Sequence, residues 1–427
     1  MNIKQYAKYT KSISQYFSAS LIPMLISFAI NPLVALNMDP DDYAITGYYT
    51  SFSTFFSPLI VFYMLHYFTK KYYELDKLSR EDLRATLVKA LIFFSGGISL
   101  ICLFGLFVYM YFFNRGSDIP FSPYAILTVL ALPITGIYSL MLTDMKMERK
   151  SGDYLKISLL ASISLSFFTL LFVVLLKWGA FGKLLAPFIT NMIFFVFACF
   201  YYKDTFHVPF NKNLFKEMLI FCYPLTLAAM LNFFSNGYDR VYLERLGDNT
   251  ELGYYSVGVQ MAAYINIFQS AIGNTFQPDL FQAIAQKNKN KILKIILLLV
   301  GSMVGLVVSY ILVAPLVVKI LTAGRYMMSV KYTQIVALSA LTSAMYFTVS
   351  QITVALGKSK ITLLTKIFTT IFSVVMFSYL INHFAYIGAA WGMVLSFVVS
   401  LLVNLILLWL SSKNSKYNIL GKKEFVI

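Results

Sequence analysis

Polar side chains in an apolar chain mark where chemistry can occur, and this sequence groups them. In "LNFFSNGYDRVYLERL", Asn232, Asn236 and Asp239 stand at i, i+4 and i+7, one face of a helix. Carboxamides in that pattern can bind the hydroxyls of a sugar, and Asp239, with Arg240 beside it, is a candidate site for a coupling cation or proton. The alternative puts Asp239 and Arg240 at the membrane interface, with Arg240 and Glu244 pairing across one solvated turn. Ser158, Ser162, Ser166 and Thr169 form a second stripe, and Thr362, Lys366, Thr370 and Ser373 repeat it at an offset of 204. Lys366 replaces Ser162, so a lysine enters an apolar run, where it either meets an anion or snorkels to the surface. Further on, Gln260, Tyr264 and Asn274 share one helical face, while Asn266 and Gln269 share the other. Polar groups on both sides suit a helix with little lipid contact. The binding candidates are therefore Asn232, Asn236, Gln260, Tyr264, Lys366, Ser162 and Thr370.

These residues need a scaffold that spans a membrane. The chain is 59% hydrophobic and 13% charged, with mean hydropathy +0.71, beyond what a soluble domain of this length can bury. Twelve apolar runs are long enough to cross a bilayer: 14–37, 44–67, 86–113, 121–143, 155–177, 181–202, 215–238, 252–281, 293–320, 328–355, 361–382 and 386–410. With both termini on one side, the segments on that side hold 25 of the 35 Lys and Arg. The opposite loops hold eight: Arg115, Lys177, Lys183, Arg240, Arg245, Lys319, Arg325 and Lys331. Lys89 and Lys366 lie within helices. This bias places both termini in the cytoplasm, the chain being multi-pass in the cytoplasmic (inner) membrane of a bacterium. It also accounts for the net charge of +16 without nucleic acid. Cys102, Cys199 and Cys222 sit in apolar runs and suit neither disulfides nor metal.

The chain also repeats itself. Gly47-Tyr48-Tyr49 returns as Gly253-Tyr254-Tyr255, "KISLLASISLSFFT" as "KITLLTKIFTTIFS", and Tyr138 as Tyr346, all at offsets of 204 to 208. Six helices per half preserve orientation, so the halves are parallel repeats. The expected fold is all-α and integral to the membrane, with about twelve transmembrane helices in two six-helix lobes. Residues 1–205 form the N-terminal lobe, helices 1–6, and residues 206–427 the C-terminal lobe, helices 7–12.

The stretch "YPLTLAAMLNFFSNGYDRVYLERLGDNTELGYYSVGVQMAAYI" resembles helices 7 and 8 of Wzx-type polysaccharide (O-antigen) flippases. These belong to the multidrug/oligosaccharidyl-lipid/polysaccharide exporter superfamily. Pro224, Asp239, Arg240, Gly253, Tyr254 and Tyr255 carry the pattern, and the length and twelve spans extend it over the whole chain. The run "INPLVALNMDPDDYAITGYY" departs from it: Asp39, Asp41 and Asp42 stand where relatives often carry a basic residue. The resemblance implies a lipid-linked oligosaccharide on a polyprenyl-diphosphate carrier, moved by alternating access of two lobes. Helices 1, 2, 7 and 8 would border the path, with Asn232 and Gln260 facing it. Membrane lipids surround such a protein, and a polysaccharide polymerase and glycosyltransferases are its expected partners.

No cofactor or metal is expected beyond coupling to a proton or sodium gradient. A cation-coupled multidrug exporter of the same superfamily is the alternative, and it calls for a smaller, more acidic and aromatic cavity. A membrane glycosyltransferase is the enzymatic alternative, with Asp39, Asp41 and Asp42 as metal-binding acids. It lacks the large outer loops or soluble domain that an acceptor needs, and no nucleotide-binding motif is present. The sequence is therefore read as a transporter and not as an enzyme.

Overall fold

The computed structural model describes residues 3–114, 116–286, 288–356 and 358–417. Arg115 and the side chain of Asn274 lie outside the described residues. Among the described residues the secondary structure is helical, and helices fall on the apolar runs in the expected order. We number them α1 (Ile3–Leu36), α2 (Pro40–Val61), α3 (Leu78–Phe113), α4 (Tyr124–Met147), α5 (Ser151–Leu175), α6 (Gly179–Tyr201) and α7 (Lys212–Met230). Then come α8 (Asn249–Ala263 and Ile265–Ala285), α9 (Lys289–Leu321) and α10 (Val330–Ala355). The stretch Ser359–Tyr417 holds α11 (359–384) and α12 (386–417), divided at Ala385, where the backbone leaves helical geometry. The two run antiparallel: the hydroxyls of Ser373 and Ser396 meet at 3.0 Å. Gly388 permits the tight return, because a Cβ there would stand 2.1 Å from the Leu380 carbonyl oxygen. Phe93, Phe113 and Leu312 are each 75% exposed, a surface suited to lipid and not to water.

The chain divides into two compact units. The first holds Met1–Phe233, Glu244–Gly253 and Lys319–Tyr326; the second holds Phe234–Leu243, Tyr254–Val318 and Met327–Ile427. In the first, α1 packs on α5, α4 on α6, and α2 on both α4 and α7. In the second, α10 packs on α8 and on the α11–α12 hairpin.

The repeated Gly-Tyr-Tyr motif anchors each unit. Tyr48, Tyr49 and Tyr255 are fully buried. The Tyr49 hydroxyl donates to the Pro120 carbonyl at 2.7 Å, and that of Tyr255 to Asp239 Oδ2 at 2.5 Å. Burying a phenol is favourable when its hydroxyl finds an acceptor.

Candidate functional site

The acids of the first outer segment have structural partners. Asp42 Oδ2 accepts from the Asp39 amide at 3.0 Å, and its Oδ1 accepts from the Ala180 amide at 2.8 Å. One carboxylate thus caps the start of α2 and the start of α6. Asp39 pairs with Arg325, and Asp41 accepts from Thr250 at 3.2 Å. The three carboxylates expected of a glycosyltransferase metal site are engaged in holding helices.

The single helical face of Asn232, Asn236 and Asp239 does not form. α7 ends at Met230, and two short helices follow, Phe233–Asn236 and Tyr238–Leu243. At the break the Asn232 amide reaches back only three residues, to Ala229 O at 3.0 Å. Short polar side chains that compete for backbone groups, with Gly237 nearby, disfavour a continuous helix. Asn232 falls in the first unit, and Asn236 and Asp239 in the second. Asp239 is 1% exposed and Arg240 9% exposed, so neither is a solvated interfacial residue. Glu244 is also buried, and its Oε2 accepts from Asn114 Nδ2 at 2.7 Å.

Each unit contains a cavity lined by its helices. The first, about 450 Å³, lies among α1, α4, α5 and α6. Pro23, Ser27 and Asn31 line it from α1, Tyr138 from α4, Ser162, Ser166 and Thr169 from α5, and Lys183, Pro187, Thr190 and Asn191 from α6. The α5–α6 corner sets this wall. Lys177 and Gly179 turn it with φ of 56° and 50°. A Cβ on Gly182 would come within 3.0 Å of the Phe172 backbone, so the glycine lets α5 close on α6 beside Lys183. Asn191 donates to Thr135 at 3.1 Å, and Thr190 to its own helix at Ala186 O, 2.9 Å.

The second cavity, about 470 Å³, is walled by the segment after α7 and by α8, α9, α10 and α12. Its polar lining is Asn236, Asn266, Gln269, Ser270, Ser339, Ser343, Thr348 and Gln351. Here most hydroxyl protons are already committed. Ser270 donates to Asn266 O, Ser343 to Ala340 O and Thr348 to Ala344 O, at 2.8 to 3.2 Å. Gln269 donates to Ser343 Oγ at 3.0 Å.

Of the residues the sequence singled out, Ser162 lines the first cavity and Asn236 the second. Gln260, Tyr264 and Asn232 line neither. Asn266 and Gln269, on the other face of α8, line the second instead. Lys366 lies with its ammonium 4.9 Å from the centre of the Tyr346 ring, and Thr370, one turn on, is partly buried. Sequence reasoning placed Lys183 in an outer loop, whereas the structure puts it inside α6 and on a cavity wall. The signal was present: Lys183, Pro187, Thr190 and Asn191 stand at i, i+4, i+7 and i+8.

Among the described residues nine helices, or ten if the bent pair Pro40–Val61 and Met64–Lys71 is one span, are long and apolar enough to cross a membrane, against the twelve expected, and each of the two units holds a cavity with polar lining. The structure is similar to an inward-facing multidrug resistance MATE family transporter of the MOP superfamily, with TM-score 0.67 and 14% identity over 95% of this chain and 99% of that one. It is similar to the lipid II flippase MurJ, with TM-score 0.64 and 14% identity over 93% and 87%. A MOP superfamily transporter from Pyrococcus furiosus matches at TM-score 0.58, with 15% identity over 95% and 96%. The chain belongs to the polysaccharide biosynthesis protein family, whose model matches residues 78–331. Lsg locus putative protein 1 of Haemophilus influenzae is 27% identical over 112 residues, which span 25% of this chain and 27% of that protein.

Proposed function

We propose that this MOP-superfamily transporter is a flippase for a lipid-linked oligosaccharide on a polyprenyl-diphosphate carrier, working by alternating access. The observation that carries the reading is the lining of the two cavities. The polar side chains of both are carboxamides and hydroxyls, joined in the first by Lys183, and no aspartate or glutamate is among the described lining residues. A sugar head needs replacements for the water that it leaves, and amides and hydroxyls supply them. A cationic drug calls for carboxylates in the same place. Membership of a polysaccharide biosynthesis family agrees with this choice. The basic-residue bias supports cytoplasmic termini and an inner-membrane location. Glycosyltransferases would then supply the substrate and a polymerase consume the product. Asp239, buried and held by Tyr255, is the place to test coupling to a proton or sodium gradient.

The test is restoration of surface glycan in a flippase-deficient bacterium, with membrane abundance measured alongside. Restoration without any change in drug susceptibility is the expected outcome. Drug resistance without restoration of glycan would reverse the assignment.

A further inference from the structure

Lys183 is a formal charge within the α6 span for which the described residues provide no counter-ion. No hydrogen bond, ion pair or ring contact to its ammonium is found among them, and none of the groups lining its cavity is acidic. An unpaired lysine at such a place is costly and marks function by default. Its neighbours add a second, independent observation. The hydroxyls of Ser27, Ser162, Ser166 and Tyr138 line the same cavity and have no hydrogen-bond partner among the described residues. Hydroxyls in apolar helices ordinarily donate to a carbonyl of the preceding turn, as Thr190 does to Ala186. Here a lysine and four hydroxyl residues line one space of about 450 Å³ with no partner for their protons among the described residues. What such a space lacks is an acceptor with negative charge and several oxygens.

We infer that the cavity among α1, α4, α5 and α6 is a phosphoryl-anion site, with Lys183 as the charge and the four hydroxyls as further donors. An ammonium is a compact point charge that suits a phosphate, and hydroxyl donors fill the remaining oxygen lone pairs. The cavity alone carries the assignment of an anion; that the anion is the diphosphate of the lipid carrier rests on the flippase reading. A phospholipid headgroup presents the same chemistry.

The experiment measures binding of inorganic pyrophosphate to the purified full-length protein in nanodiscs of a zwitterionic lipid. Binding to the unaltered protein, weakened about ten- to a hundredfold by Lys183→Gln and largely kept by Lys183→Arg, is expected. Lys89→Gln, which alters another lysine within a span and outside both cavities, should leave binding unchanged. A thermal melt of each variant checks folding, and if Lys183→Gln is unfolded, Lys183→Met takes its place. Equal binding by the charge-free variant and the unaltered protein overturns the site, as does no binding to the unaltered protein. Competition then identifies the source. Displacement by a short-chain polyprenyl diphosphate assigns the site to the carrier, and displacement by phosphatidylglycerol assigns it to a membrane lipid. Because binding is read without transport, loss of the flippase reading in the glycan assay leaves this result standing, and loss of binding leaves the glycan assay standing.

Discussion

The two cavities are almost equal in volume, about 450 and 470 Å³, and they differ in the sign of what they offer. The first presents a lysine and hydroxyl protons without partners. The second presents amides and hydroxyl oxygens whose protons are mostly spent on their own helices. The repeat pairs α1 with α7, α4 with α10 and α6 with α12, and both cavities use elements of those pairs. The first adds α5, whereas the second adds α8 and α9. A visible cause lies at α11. Tyr138 and Ser162 both line the first cavity; their counterparts at offsets of 208 and 204, Tyr346 and Lys366, pack on each other at 4.9 Å. The long lysine stem occupies room that a serine leaves open.

The largest effect expected from this difference is a charge reversal. Lys183→Glu sets a carboxylate against the phosphoryl group, and surface glycan should fall by about a hundredfold or more at equal membrane abundance. Gln351→Glu puts the same charge into the second cavity, where no anion is expected to sit, and should cost less. Equal losses at the two positions would break the contrast between a charged and a neutral cavity.

A smaller effect is expected from the neutral cavity itself. Gln269→Leu removes the donor to Ser343 and one amide from the wall. Net hydrogen bonds of this kind contribute about 0.5–1.5 kcal/mol, so transport should fall about two- to tenfold. Uptake of a fluorescent lipid-linked glycan into vesicles would read it. A loss as large as that of Lys183→Glu would mean that the second cavity governs recognition.

Lys366→Met should be milder still. The ammonium over Tyr346 is worth about 0.5–1 kcal/mol where water still reaches it, and methionine keeps most of the packing. A small drop in melting temperature with near-normal glycan display is expected. A transport defect without a stability defect would assign Lys366 to substrate binding.

How much of this was legible in the sequence follows from what each signal measures. Apolar length reports on the membrane, so helices fall on the expected runs in order. Helical spacing reports on faces only while the helix continues. It failed at Asn232, Asn236 and Asp239, because the backbone breaks after Met230 and again at Gly237. It would have found Lys183, had nearness to a run's end not been taken for exposure. Which face of α8 meets a cavity depends on its neighbours α9 and α10, and no periodicity within α8 carries that. The burial of Asp239 beneath Tyr255 is a contact across 16 residues, set by packing and not by spacing.

The smallest effect lies at the far end of the first unit, where charge is paired and not left open. Arg84 donates to Asp144 Oδ1 at 2.7 Å and pairs with Glu148, which also meets Lys150 at 2.6 Å. Burial alone would push the Glu148 carboxyl up, but the hydrogen bond from Lys150 and the charges of Arg84 and Lys150 outweigh it and hold the group below its usual range. A carboxyl depressed in the folded state stabilises fully above its unfolded pKa, about 4.3, and the contribution fades as pH falls through the folded value. Glu148→Gln should therefore lower the melting temperature at pH 7 and match the unaltered protein once the medium is more acidic than the depressed pKa. The group is partly solvated, so the difference should be under about 1 kcal/mol. Arg84 keeps Asp144 in the variant, and pyrophosphate binding at Lys183 should be unchanged. A stability gap that widens on acidification would show that Glu148 is not stabilised by its cations. A loss of pyrophosphate binding would show that the paired charges at this end and the open charge at the cavity are one system, and the contrast between them would fall.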